Sequence, residues 1–122
     1  PKDAKVVLVG HSLGGMIAQQ FAANEEMKQR FQIINTLTLG SPYIVTKDRE
    51  GDLHRMVDSA DYIPYLSSAM ADNWSAGNYT KEDNGYKGNA KAAHYDSYLT
   101  GKAWLKYDCF GIKNGTNKIV FK

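Results

Sequence analysis

The sequence predicts an α/β fold: a parallel sheet with flanking helices, followed by a C-terminal β-hairpin. Three observations predict it. Residues 4–9, Ala-Lys-Val-Val-Leu-Val, form an apolar, β-branched run, the pattern of a strand buried on both faces of a parallel sheet. A segment with helical spacing follows at once. Further short strand-like runs then alternate with helix or surface excursion, which is the rhythm of an α/β sheet. At 122 residues the chain has room for one domain. A fold of this size buries roughly two-thirds of its unfolded surface, enough for a true core.

The elements follow in order. After the first strand, Leu13, Met16, Ile17, Phe21, Met27 and Phe31 recur at helical spacing over 13–31. Gly14, Gly15, Ala18, Ala22 and Ala23 keep the first turns narrow, so this helix sits close to a sheet. Its polar end, Asn24 to Arg30, reads as exposed and as a separate short turn of helix. Residues 33–39 are the second strand, stopped by Gly40-Ser41-Pro42, because proline holds Ser41 extended and lacks a backbone donor. Residues 44–52 are charged and solvated. A short third strand is placed at 53–57. Residues 71–93, rich in Asn, Gly, Asp, Lys and Ser, read as one long polar loop, with Trp74, Tyr79 and Tyr86 as its anchors. Residues 94–105 read as helical. The tail, 107–122, carries Asn114-Gly115 between two strand-like runs, the strongest two-residue hairpin signal.

Composition excludes several classes. Hydrophobic residues make up 43% and charged residues 23%, with a net charge of +2, an ordinary globular mix. Lys and Arg are scattered, so no basic stripe suits nucleic acid. No run approaches the roughly 18 to 20 apolar residues of a membrane span. Cys109 is the single cysteine and can form neither an internal disulfide nor a multi-cysteine zinc site. No metal or organic cofactor is called for. The compartment is left open. Asn73, Asn78 and Asn114 open Asn-x-Ser/Thr triplets, which matter only on a glycosylated secreted protein.

The chemistry-bearing motif is Gly10-His11-Ser12-Leu13-Gly14, set between the first strand and the first helix. A serine at a sharp strand-to-helix turn takes a strained backbone. Glycines two before and two after are expected to remove side chains that would collide there. The turn lifts the hydroxyl above the carboxyl edge of the sheet and leaves the first helix amides unpaired beside it. Those amides, at the positive end of the helix dipole, suit a developing oxyanion. Ser12 is therefore the expected nucleophile and the Leu13 backbone N–H the first oxyanion donor.

Val9-Gly-His-Ser-Leu-Gly-Gly resembles the elbow of the α/β-hydrolases, in particular the class 3 (fungal-type) lipases and their bacterial relatives. Thr38-Leu-Gly-Ser-Pro is similar to the strand and loop that follow in that family. Arg55-Met-Val-Asp-Ser-Ala-Asp-Tyr-Ile-Pro resembles its next motif, and His94-Tyr-Asp-Ser-Tyr its late histidine followed shortly by tyrosine. The resemblance implies a partial α/β-hydrolase fold. Residues 1–106 would be the C-terminal part of the catalytic domain, and 107–122 a hairpin of the same domain. It also implies carboxylic ester hydrolysis on a small-molecule or lipid ester. Acyl transfer or amide cleavage by the same groups, or a non-catalytic interaction module, are the alternatives.

A serine needs a base and the base needs an orienting carboxylate. In this fold the chain order is serine, acid, histidine. Of the three histidines, His11 lies in the elbow and cannot easily turn onto Ser12. His54 precedes the expected acid. His94 is downstream of every candidate acid and is the expected base. Asp58 and Asp61 both follow the third strand; the Asp48 and Glu50 region is more remote, and Asp96 is too close to His94. The family motif, an acid three residues before proline, selects Asp61.

The resemblance also implies what lies outside these residues. A full hydrolase has strands before the elbow, and a loop after one of them supplies the second oxyanion donor. That half, or a second chain, is expected to complete the sheet beside residues 4–9.

Overall fold

The computed structural model describes residues 4–44, 46–66 and 78–99. The expected hairpin at 107–122, Cys109, Trp74, Asn73 and Asn114 lie outside them. Four strands, β1 (Lys5–His11), β2 (Gln32–Leu39), β3 (Asp52–Asp58) and β4 (Asn78–Glu82), form one sheet in the order β1-β2-β3-β4. All three pairings are parallel. The predicted α/β class is therefore what the chain forms.

Parallel pairing brings every strand's carboxyl end to one edge. His11 pairs with Leu39, Leu39 with Met56, and Asp58 with Glu82. The loops leaving those residues meet there, where α/β sheets hold their chemistry. Among the described residues β1 has a neighbour on one side only. It is consequently half-buried along most of its length, with Val9 48% exposed, rather than buried on both faces as expected. β3 is the reverse: Leu53 through Asp58 are all buried.

The predicted long helix is two. Helix α1 (Leu13–Ala23) turns Gly15, Ala18, Gln19 and Ala22 inward and packs on β1 and β2. Small residues let its backbone approach the sheet. Asn24 then caps α2 (Glu25–Arg30) by accepting the Met27 amide at 3.1 Å. Glu25 and Glu26 in the first turn and Lys28 and Arg30 in the last complement the helix dipole. No described helix is long and apolar enough to cross a membrane.

Two expectations are corrected. Residues 71–93 are not one long polar loop, because β4 occupies Asn78–Glu82. Its polar composition hid it: a strand is held by ladder hydrogen bonds to its neighbour, and pairing with β3 supplies them. Nor does the following helix begin at residue 94. Helix α3 runs Ala90–Tyr95, and a 3-10 turn follows at Ser97–Leu99. Asn89 starts α3 by accepting the Ala92 amide at 3.1 Å, a cap signal buried in a stretch read as loop. His94 therefore lies in the last turn of a helix.

The core above the sheet joins Leu37, Leu39, Met56 and Tyr98, with Val7 packed against them. Gln19, fully buried, ties α1 to the Gly-Ser-Pro loop. Its amide donates to the Gly15 and Pro42 carbonyls at 3.1 and 3.0 Å, and its oxygen accepts the Ile44 amide at 2.9 Å. A loop without secondary structure is held this way because its buried backbone groups must find partners.

Candidate active site

The elbow is built from the backbone. Ser12 has φ 57° and ψ −124°, a left-handed conformation that costs a non-glycine residue of order 1–3 kcal/mol and persists only where its surroundings enforce it. Two hydrogen bonds enforce it: Ser12 N–H donates to the Leu39 carbonyl, and Gly15 N–H to the Ser12 carbonyl, each at 3.0 Å. The expected crowding at the glycines is half right. A Cβ at Gly10 would collide with the backbone of Gly14 and Gly15, whereas a Cβ at Gly14 meets nothing within 4 Å. The second crowded glycine is Gly15, whose absent side chain makes room for Ser41. Spacing in the motif is therefore not the same as crowding in the turn. The Leu13 amide opens α1, where no helical carbonyl precedes it as partner.

Histidine and carboxylate come to the same edge from the segments after β4 and β3. His94 Nε2 is 2.9 Å from Ser12 Oγ. Its Nδ1 is 3.1 Å and 3.0 Å from the two oxygens of Asp61. A carboxylate only accepts, so Nδ1 carries the proton and Nε2 is left to accept from the Ser12 hydroxyl. Both side chains are buried, Asp61 completely. A chain of this form can pass the hydroxyl proton to the ring while the carboxylate steadies the resulting charge. The three residues expected from sequence are thus brought together.

Asp58, the rival acid, faces elsewhere. It accepts the Ala60 amide at 2.9 Å, the Ser97 hydroxyl at 2.7 Å and the Asn84 amide at 3.3 Å. Asn84 in turn donates to Ser97 Oγ at 2.7 Å and to Glu82 at 3.1 Å. Asp58 therefore pins together the ends of β3 and β4 and the turn after α3. Glu50 accepts the Ile33 amide at 2.9 Å, Asp48 lies in a bend with φ 59°, and Asp96 caps α3. His54 bonds Thr80 Oγ1 at 2.8 Å, and burial lowers its pKa.

Two further residues touch this arrangement. His11 Nε2 donates to the backbone carbonyl of His94 at 2.6 Å, and the two rings lie 4.8 Å apart. His11 does not reach Ser12, as expected; it braces the base instead. Tyr98 donates to Asp61 Oδ2 at 2.7 Å and accepts the Asp58 amide at 2.9 Å. Burial, with help from the Asp61 and Asp58 carboxylates and against the Asp58 amide, pushes its phenol well above the usual range. The residue types were legible in His94-Tyr-Asp-Ser-Tyr, but their partners lie across the sheet and no local spacing announces them.

The family model of the PGAP1-like alpha/beta domain matches residues 1–77. That span exceeds half of the chain, and the chain belongs to this α/β-hydrolase-like family. The match covers Ser12 and Asp61 and ends before His94. Searches of curated proteins and of solved structures found no match. The likeness to class 3 lipases stays a resemblance of motifs, which this match does not confirm.

Proposed function

We propose that this PGAP1-like α/β domain is a serine hydrolase that cleaves carboxylic esters through Ser12, His94 and Asp61. The observation that carries the reading is the contact of His94 Nε2 with Ser12 Oγ, at 2.9 Å, while Nδ1 lies on Asp61. Ser12 Oγ attacks the ester carbonyl as His94 takes its proton. The oxyanion of the tetrahedral intermediate is held by the Leu13 N–H. The intermediate collapses to an acyl-serine, and His94 gives the proton to the departing alkoxide. Water, deprotonated by the same imidazole, then attacks the acyl carbon and releases the acid and Ser12. Asp61 remains ionised and steadies the imidazolium. A second oxyanion donor, which the hydrolase resemblance assigns to a loop after an earlier strand, would add on the order of 10²–10³ in rate.

An apolar acyl group fits best. Each of the three residues is followed in sequence by an exposed apolar or aromatic side chain: Leu13 at 65%, Tyr62 at 66% and Tyr95 at 53%. The lipase-like motifs favour an ester over an amide. Labelling of the full-length protein with a fluorophosphonate, and hydrolysis of p-nitrophenyl esters, test the reading. Ser12 is expected to carry the label, and Ser12→Ala to lose the label and at least about 10³-fold in kcat. An unlabelled Ser12, or hydrolysis undiminished in Ser12→Ala, would overturn it.

A further inference from the structure

A buried carboxylate that faces one imidazole is not fully fixed. The terminal torsion of aspartate is broad and roughly two-fold. His94 Nδ1 lies at nearly equal distances from both oxygens of Asp61, 3.1 and 3.0 Å, so the imidazole by itself does not select the orientation. Two other donors do. The Ile63 amide reaches Oδ1 at 3.0 Å, and the Tyr98 hydroxyl reaches Oδ2 at 2.7 Å. The first holds the carboxylate from its own loop. The second comes from the segment that carries His94.

We propose that Tyr98 is a positioning residue that holds the Asp61 carboxylate in plane with His94 and shares its negative charge. This rests on the hydrolase reading above. Three features built around the hydroxyl carry it. The Asp58 amide donates to the phenol oxygen at 2.9 Å, so the single phenolic hydrogen is directed to Asp61. The ring is held in the core with Leu37, Leu39 and Met56, so the hydroxyl is placed by packing rather than by chance. Gly40, with φ 60°, clears the space: a Cβ there would stand 2.5 Å from Asp61 Oδ2 and 2.7 Å from Tyr98 Cε2. The glycine of the Gly-Ser-Pro loop is thus shaped to admit this contact.

The neighbouring hydroxyl does a parallel task. Ser97 Oγ donates to Asp58 Oδ2 at 2.7 Å, so consecutive hydroxyls of one 3-10 turn grip the two carboxylates of Asp58-Ser-Ala-Asp61. Ser97 anchors the loop, and Tyr98 anchors the acting carboxylate.

Other titratable groups face His94. His11 approaches from the end of β1 with its ring 4.8 Å away, and Tyr95 from α3 at 4.9 Å. Asp61 approaches from the loop after β3, and Asp58, the last residue of β3, stands behind Tyr98. Tyr65 lies near enough to Asp61 that burial and then that charge raise its own pKa. Tyr98 donates a neutral hydrogen to the carboxylate. A carboxylate stripped of it concentrates its charge on the imidazolium and stabilises it.

Tyr98→Phe keeps the ring and removes the hydrogen bond. The acidic limb of its kcat/KM profile is expected to move up by about half a pH unit, roughly a 3-fold loss on that limb. The titration midpoint of the His94 ring, read by NMR, should rise with it. Ser97→Ala should leave both midpoints where they are while lowering the unfolding midpoint. Where Tyr98→Phe fails to fold, 3,5-difluorotyrosine at position 98 keeps the hydroxyl and strengthens it as a donor, so both midpoints should move down. A purely structural role would lower kcat and leave the midpoints in place, and that result would overturn the proposal. The NMR titration needs no hydrolysis. If Ser12 fails to label while the His94 midpoint still moves, the hydrolase reading falls and the role of Tyr98 on Asp61 stands.

Discussion

The two sides of the site are held in different ways. Around Ser12 the parts are backbone: a left-handed residue, a carbonyl of β2, and two glycines whose missing side chains let chain meet chain. Around Asp61 and His94 the parts are side chains: hydroxyls, an amide and carboxylates from β3, β4 and the segment after α3. The serine sits in a conformation enforced by backbone contacts, one with Gly15 beside it and one with the Leu39 carbonyl of the neighbouring strand. The base and acid must meet across the sheet, so their geometry depends on partners remote in sequence. One side should therefore fail through added bulk, and the other through a lost polar group.

The largest effect is expected at Gly10. Gly10→Ala drives a Cβ into the backbone of Gly14 and Gly15, which no side-chain rotation relieves. A loss of about 3 kcal/mol or more in unfolding free energy is expected, measured by urea denaturation. A midpoint equal to that of the parent would show that the elbow tolerates bulk after all.

Asp58→Ala comes next and probes the other side. It strands the buried Ala60 amide and Ser97 hydroxyl and the half-buried Asn84 amide. A destabilisation of about 2–3 kcal/mol is expected, with proteolysis in the 78–99 region rising before global unfolding. If thermal unfolding were unchanged, the side-chain network would not be what holds the histidine segment.

The smallest effect, of opposite sign, separates motif from crowding. Gly14 belongs to the Gly-x-Ser-x-Gly pattern, yet a Cβ there meets nothing within 4 Å. Gly14→Ala is expected to raise stability by up to about 1 kcal/mol through helix propensity, read as a higher urea midpoint. A loss matching that of Gly10→Ala would restore the symmetric view of the elbow.

Legibility followed the same division. β1, the elbow and α1 could be read because their signals are local: an apolar run, a five-residue motif, then small residues at helical spacing. β4 could not be read because its stability comes from the ladder with β3, and Asn-Tyr-Thr-Lys-Glu carries no apolar stripe. The cap at Asn89 was readable in principle but stood in polar surroundings that concealed it. For the site, the elbow motif picked out Ser12, the order of serine, acid and histidine picked out His94, and the family motif favoured Asp61 over Asp58. The braces His11 and Tyr98 went unassigned, since their partners are a backbone carbonyl 83 residues away and a carboxylate 37 residues away.

The sequence by itself determined the elbow, the parallel α/β class and the residue types that meet at the sheet edge. These depend on short-range sterics and on periodicity, which a linear chain displays. Only the tertiary structure decided that Asp58 braces while Asp61 faces His94, that Gly15 rather than Gly14 makes room, and that Tyr98 shares the carboxylate. Those choices depend on which groups share a buried space, where every polar atom must find a partner among residues that folding alone brings near.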